Sequence, residues 1–533
     1  MLALTGLLLA LFVAMISSTV VTNALPKIIS DLHGSSTSYT WVVTATLLAM
    51  TATTPIWGKL ADLFNRKLLV QTALTIFVLG SVLAGISTST TMLISFRVVQ
   101  GIGVGGLSAL VQIAMAGMIA PRERGRYSGY LGATFAVATI SGPLIGGVIV
   151  DVPGLGWRAC FYLGLPIAVV AFVVLQRTLQ LPSVRRDVSI DYLGATLIAA
   201  GVSCLLIWTS LAGSSFGWVS GESALLLGGG LALLAVAVAV EARAKEPIVP
   251  LRLFRDRTIV LTIIASACVG TVMYSANLLF SQYFQLGRGK SPTLSGLLTI
   301  PMVGGLAIAS LIAGRIITET GRWKRLLVLG TILIGAGLGL LGTVSDHTPL
   351  VTVSLFACLM GAGLGMVQQN LVLAAQNSAS AEDLGSTSSA VAFFRSLGGS
   401  AGVAALGAVL STHVSNATIS GLRANGLPAD TLGDGRSVPD PSRLPDAVAS
   451  VVHHAYGLGV ADVFLICVPL AVLALLTVLF IPEVQLRSGA GVEKVERVMT
   501  KLPARDRHDD GLDPDVELAA WRPTAGASPE PAP

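Results

Sequence analysis

The sequence predicts an all-α polytopic membrane protein, and three observations predict it. Of 533 residues, 53% are hydrophobic and 12% charged, with a mean hydropathy of +0.77, far outside the soluble globular range. The apolar residues gather into stretches near the ~20 residues a helix needs to cross a bilayer. Lys and Arg cluster between alternate stretches, the pattern of a chain oriented by positive charge on the cytoplasmic side.

Taken in order, the crossings fall near 3–25, 39–60, 68–87, 92–119, 126–150, 157–179, 190–213, 221–241, 257–284, 292–317, 325–344, 349–375, 385–412 and 457–481, fourteen in all. The chain opens into "LALTGLLLALFVAMI" with no basic leader or small-residue cleavage site, which reads as a retained crossing rather than a signal peptide. Basic clusters at Lys59–Lys67, Arg122–Arg126, Arg185–Arg186, Arg243–Arg257 and Arg322–Arg325 each follow an even-numbered crossing, so both termini are expected in the cytoplasm. Between the last two crossings, "NGLPADTLGDGRSVPDPSRLPD" makes 413–456 an expected irregular external loop. After Pro482 the chain turns charged, and 482–533 is expected to be a mostly disordered cytoplasmic tail with "VEKVERVMTKL" as one short amphipathic helix.

Several function classes are excluded. The formal charge of +5 lies in the short loops and orients the chain rather than binding nucleic acid. Five scattered cysteines without CxxC spacing indicate neither a disulfide framework nor a metal site. "GIGVGG" (Gly101–Gly106) fits a dinucleotide pattern but lies inside an apolar helix with no preceding strand, where small residues serve close packing. "GKS" at Gly289–Ser291 has Phe284 where a phosphate loop needs its leading glycine. His453 and His454 lack a nucleophile, base or metal set. No enzyme and no cofactor is expected.

"GKLADLFNRK" after the second crossing is echoed by "GRIITETGRWKR" after the tenth, pairing Gly58 with Gly314 and Arg66 with Arg322. Crossings 1–6 and 9–14 are then two repeats. The expected domains are a six-helix bundle at 1–180, two inserted helices at 181–250 and a second six-helix bundle at 251–481.

These motifs resemble the major facilitator superfamily and, within it, the fourteen-helix drug:proton antiporters. "GKLADLFNRK" matches that superfamily's loop motif at Gly58, Leu60, Asp62, Arg66 and Lys67, with Asn65 in place of its second glycine, a change eased because Asn tolerates the left-handed conformation. "LISFRVVQGIGVGG" resembles the helix 4 motif through Arg97, Gln100 and Gly101, and "SGPLIGG" the antiporter motif of helix 5. "SPTLSGLLTIPM" and "FFRSLGGSAGVAALGA" resemble the second half of drug exporters. The resemblance implies a major facilitator fold arranged 6+2+6 in the bacterial cytoplasmic membrane. It further implies a monomer that exports amphipathic drugs or antibiotics by proton antiport and alternating access, with a dedicated metabolite or lipid exporter, or a transport-inactive sensor, as the alternatives.

Residue by residue, Asp62 can pair with Arg66, with a basic residue such as Arg126, or face a helix N-terminus; with Gly58 and Lys67 it forms a candidate conformational latch. Gly142, Pro143, Gly146 and Gly147 allow close helix approach and a bend. Arg97 and Arg395 lie inside crossings, where an arginine faces a cavity, is paired or snorkels. Asn23, Gln100, Gln112, Gln368 and Gln369 offer hydrogen bonds for substrate or for neighbouring helices. No Asp or Glu falls at the centre of a crossing, and Ser17 stands where the family usually carries an aspartate. A cavity with arginines and no carboxylate favours neutral or anionic amphiphiles over cations. Proton coupling then falls to Asp31, Glu222 or Asp462 near the external side, or is borne by the substrate, with Asp62 contributing by switching the cytoplasmic latch.

Overall fold

The computed structural model describes residues 2–33, 36–151, 156–179, 191–212, 216–244, 246–380, 382–425 and 445–486. Within those ranges the side chains of Asn23 and Pro143, and the surroundings of Gly147, lie outside the described set; the linker at 181–190 and the tail from residue 487, with the segment "VEKVERVMTKL", lie outside it altogether.

Among the described residues there is no β-strand. The N-terminal half contains α1 (Leu2–Asp31), α2 (Ser36–Leu63), α3 (Arg66–Gly85), α4 (Thr90–Met118), α5 (Pro121–Asp151), and α6 (Ala159–Tyr162) with α7 (Gly164–Thr178). The inserted pair is α8 (Tyr192–Leu211) and α9 (Gly221–Glu241). The C-terminal half contains α10 (Arg257–Gln282), α11 (Pro292–Leu298), α12 (Ile300–Thr320), α13 (Lys324–Leu341), α14 (Leu350–Ser378), α15 (Leu384–Ala424) and α16 (Asp446–Phe480). Among the described residues, twelve helical spans are long and apolar enough to cross a membrane. The remaining long helices are α2 and α5, at 28 and 31 residues.

Short polar residues start many of these helices by accepting a hydrogen bond from an otherwise orphaned N–H: Ser89 from Met92, Asp191 from Gly194, Ser220 from Ser223, and Asp256 from Thr258 and Ile259. Asn65 belongs to this set. It is extended (φ −60°, ψ 113°) and caps α3 through Lys67 N–H, so its role is capping and not the left-handed turn that the missing glycine suggested. Gly321, at φ 70°, supplies a left-handed stop to α12.

Helices α1–α7 pack among themselves, as do α10–α16. Each half has its own apolar interior, around Leu7, Phe77 and Leu110 in the first and Phe280, Leu327 and Phe464 in the second. The halves meet where α2 crosses α15 and α5 crosses α12. The inserted pair packs on itself, and α8 also lies on α2 and α15. In the "GIGVGG" run the glycines do serve packing: Gly101 and Gly105 lie against the α2 backbone, Gly103 against the α3 backbone, and Gly106 between Ala73 of α3 and the Trp57 ring of α2.

The external loop expected at 413–456 is largely helical at both ends: α15 continues to Ala424 and α16 begins at Asp446. The reason is a buried stripe. Val414, Thr418 and Leu422 recur every four residues on α15, and Val448, Val452 and Ala455 are buried on α16, so the pair continues to bury apolar surface beyond the expected crossings. Residues 426–444 lie outside the described set. Nearer its N-terminal end than its C-terminal one, α15 crosses α10, where a side chain on Gly398, Gly399 or Gly402 would strike Ala267, Tyr274 or Thr271, and Thr271 donates to the Gly398 carbonyl at 2.8 Å.

Candidate functional site

Four helices of the N-terminal half converge on a buried polar cluster. Arg97 on α4 is 2% exposed. Its Nε donates to the Val42 carbonyl on α2 at 3.3 Å and its Nη1 to Gln100 Oε1 at 2.7 Å. Gln100 Nε2 in turn donates to Ser17 on α1 at 3.1 Å and Ser81 on α3 at 2.8 Å, while Thr46 on α2 donates to the Arg97 carbonyl at 3.3 Å. These contacts answer a guanidinium with neutral oxygens: no carboxylate is among the described partners. Ser17 thus occupies a central place in the network, as an acceptor where an aspartate would bring a charge.

A second arrangement lies at the face bearing the basic loops. Asp383, which precedes α15, makes no side-chain cap to it, because its carboxylate accepts from Ser380 at 2.9 Å and from Arg252 at 2.8 Å. The orphaned N–H groups of α15 are satisfied from the other half. Asp62 Oδ1 accepts from Gly385 N–H at 2.7 Å, and Oδ2 from Ser386 N–H and Oγ–H, both at 2.8 Å. A carboxylate at a helix N-terminus is favoured both by those donors and by the helix dipole. Asp62 lies just past the predicted crossing 39–60. Burial pushes its pKa up from the ordinary 3.8 to about 6, against the lowering effect of the Ser386 and Gly385 hydrogen bonds and of the Arg66 charge. Of the readings open to Asp62, this geometry is the helix N-terminus. Arg66 Nε donates to the Ala61 carbonyl at 3.1 Å and Lys67 Nζ to the Gln176 carbonyl at 2.7 Å. Arg126 is exposed.

Small residues make the contact possible. A Cβ on Gly58 would sit 2.9 Å from the Gly385 carbonyl oxygen and strike the Ser389 side chain. The crossing of α12 with α5 repeats this arrangement with the halves exchanged. Gly314, the sequence echo of Gly58, lies against the Gly125 backbone. Thr318, four residues later as Asp62 is after Gly58, accepts from the Arg126 N–H at 3.0 Å. The two crossings are equivalents, one closed by a carboxylate and the other by a hydroxyl. Arg124 on α5 adds a further link, with Nη1 3.5 Å from Gln376 Oε1 on α14, while Gln376 donates to Ser388 on α15 at 2.9 Å.

The remaining candidates are dispersed. Arg395 is part-buried beside Tyr274, and its Nη1 has no partner. Gln112 donates to Ser108 of its own helix at 3.1 Å while its Oε1 is unpartnered. Gln368 and Gln369 are buried. Gly142 lies against Thr19, fitting α5 closely to α1, and Gly146 is buried on the same helix. Asp31 pairs with Lys27 at 2.9 Å and Asp462 with His413 at 3.4 Å, both partly exposed; Glu222 is exposed in the first turn of α9. Sequence reasoning passed over Gly385, Ser386 and Thr318. The signal available was the run "GSTSS" at Gly385–Ser389, an unusual density of small polar residues opening a crossing.

Comparison with known proteins matches this architecture. The family model described as Major Facilitator Superfamily covers residues 7–403. An uncharacterized MFS-type transporter of Mycobacterium tuberculosis (strain ATCC 25618 / H37Rv) is 36% identical over 487 residues, 90% of this chain and 69% of that protein. The multidrug transporter protein MdtP of Bacillus subtilis (strain 168) is 35% identical over 418 residues, 78% of this chain and 76% of that protein. The solved structure of the MFS proton:xylose symporter XylE, at 14% identity, superposes with a TM-score of 0.59 over 93% of this chain and 98% of that one. With its two halves joined through equivalent crossings and this family match over most of its length, the chain is a member of the major facilitator superfamily of membrane transporters.

Proposed function

We propose that this protein is a secondary active exporter of amphipathic drugs or antibiotics, driven by proton antiport and working by alternating access. All fourteen long helical segments cross the bacterial cytoplasmic membrane, the basic face and both termini lie in the cytoplasm, and the chain acts as a monomer. The units are the bundles 1–180 and 251–481, the inserted pair 181–250 and the tail 482–533. The multidrug transporter among its relatives supports the substrate class.

The observation that carries the mechanism is the pair of equivalent crossings at the basic face. They are built from a few hydrogen bonds and small-residue contacts, which water can replace when the halves part. Asp62 and Thr318 then act as a cytoplasmic gate, closed in this conformation. The buried Arg97–Gln100–Ser17 network supports a preference for neutral or anionic substrates, since a cation entering that region meets a guanidinium and no carboxylate. Proton uptake is assigned to Asp62 or to a carboxylate among Asp31, Glu222 and Asp462.

The test is efflux from pump-deficient cells expressing this chain, comparing a neutral polyketide with a permanent lipophilic cation, with and without a protonophore. Protonophore-sensitive export of the neutral compound in preference to the cation is expected. Strong cation export would refute the preference, and export indifferent to the protonophore would refute proton coupling.

A further inference from the structure

The inserted pair α8–α9 is followed by a segment whose contacts give it a role in the gate. Glu241, the last residue of α9 and 5% exposed, turns its carboxylate onto that segment: Oε1 accepts from Ile248 N–H at 3.1 Å and Oε2 from Val249 N–H at 2.9 Å. Just before them, Glu246 Oε2 meets Lys59 Nζ at 2.6 Å. Lys59 lies on α2, beside Gly58 in the gate, and its side chain is only 6% exposed against 38% for Glu246. Farther along, Arg252 Nη2 meets Asp383 Oδ1 at 2.8 Å, at the residue preceding α15. Asp256 then caps α10 through Thr258 and Ile259.

Residues 246–256 therefore run from α2, in one half, to the starts of α15 and α10, in the other. Their apolar side chains follow the same course. Ile248 is buried with Val202 of α8 and Phe393 of α15, and Leu48 of α2 packs against that group; Leu253 is buried with Ile259, Ala390 and Val391. We propose that residues 246–256 are a strap holding the cytoplasmic gate closed, fastened to α2 by Glu246–Lys59 and to α15 by Arg252–Asp383, and anchored to the inserted helices by Glu241. This assigns the inserted pair a place in the transport cycle and rests on the alternating-access reading.

The two fasteners differ in strength. Removing Glu246 leaves a nearly buried ammonium without its ion-pair partner, a costly state, whereas removing Arg252, itself 63% exposed at its side chain, leaves the Asp383 carboxylate with the Ser380 hydroxyl still donating to it. The experiment uses the full chain with Ser388→Cys, a buried gate position, in inverted membrane vesicles, and follows labelling by a membrane-impermeant maleimide against the background of the five native cysteines. Glu246→Gln and Lys59→Gln are each expected to speed labelling about tenfold, with the double variant no faster than either single one, because they break one contact. Arg252→Gln is expected to give about twofold. If Ser388→Cys responds to an imposed proton gradient but Glu246→Gln labels at the parent rate, the strap is refuted while the gate stands. Full additivity of Glu246→Gln and Lys59→Gln also refutes it. If labelling responds to no gradient or substrate, the alternating-access reading falls and takes the strap with it.

Discussion

Replacing Gly385 by alanine drives a methyl group into the crossing of α2 with α15. On the present backbone that carbon would lie 2.5 Å from Asp62 Oδ1 and 2.7 Å from its Cγ, and would press on the Gly58 carbonyl. Favourable contacts lie near ~3.5 Å, so the two helices must part by about 1 Å. The N–H bonds to Asp62, now 2.7 and 2.8 Å, then stretch beyond useful range. Overpacking costs ~1–3 kcal/mol, and loosening two bonds to a charged acceptor adds roughly 1 kcal/mol after water replaces them. The closed gate should thus lose about 2–4 kcal/mol relative to the open one, a shift of roughly 30- to 1000-fold. Alanine's better helix propensity, ~0.5–1 kcal/mol, applies in both conformations and protects folding. The assay is maleimide labelling of Ser388→Cys from the side of the basic loops, paired with efflux rate: labelling should rise at least thirtyfold and export should fall. Parental labelling together with parental export in a Gly385→Ala chain would show that this crossing does not close that face.

Other perturbations test separate parts of the same reasoning. Asp62 titrates near 6 in the closed gate against an ordinary 3.8, so closing takes up a proton: that contribution is complete below about 3.8 and is lost as pH rises through about 6. Gate labelling, normalised to an exposed cysteine, should therefore be slower at pH 5 than at pH 7.5, and Asp62→Asn should abolish the difference. Thr318→Asp gives the second crossing a carboxylate beside the Arg126 N–H, in the second turn of α5, and by exchanging a neutral for a charge-assisted hydrogen bond, a gain of about 1 kcal/mol, should slow gate labelling roughly fivefold. Ser17→Asp brings a carboxylate to Gln100 beside Arg97; export of a permanent lipophilic cation should rise at least tenfold over the parent while neutral export falls. Arg97→Lys keeps the charge but loses the planar fork that reaches both Val42 and Gln100. It should lower the thermal midpoint in detergent and cut export of every substrate about tenfold.

The long apolar helices were legible because a bilayer demands ~20 apolar residues per crossing, a requirement that leaves its mark in any window of sequence, and twelve spans among the described residues meet it. Gly58 and Gly314 were legible as an echo, since a repeat preserves spacing even when side chains diverge. What the glycines touch was not legible. Asp62 and the N–H groups it caps are 323 residues apart, and a cap supplied from another helix has no local signature. Asn65 shows the limit on a smaller scale: Asn is permissive of both a left-handed turn and an N-cap, and only the course of the chain into α3 decides between them. The extensions of α15 and α16 were hidden for a related reason. Their buried residues, Val414, Thr418 and Leu422 on α15 and Val448, Val452 and Ala455 on α16, form narrow stripes among polar neighbours, too dilute to register as a crossing.

The unbroken course of α15 has a mechanical consequence. A helix of 41 residues spans about 60 Å, and this one is gripped by α10 at Gly398–Gly402, nearer its gate end. From Gly385 to that grip is about 20 Å, and from the grip to Ala424 about 35 Å, at 1.5 Å per residue. A stiff rod seated on such a fulcrum behaves as an unequal lever. A displacement of its gate tip away from Asp62 swings the far tip the opposite way by nearly twice as much, so unlocking one face would of itself draw the other face together.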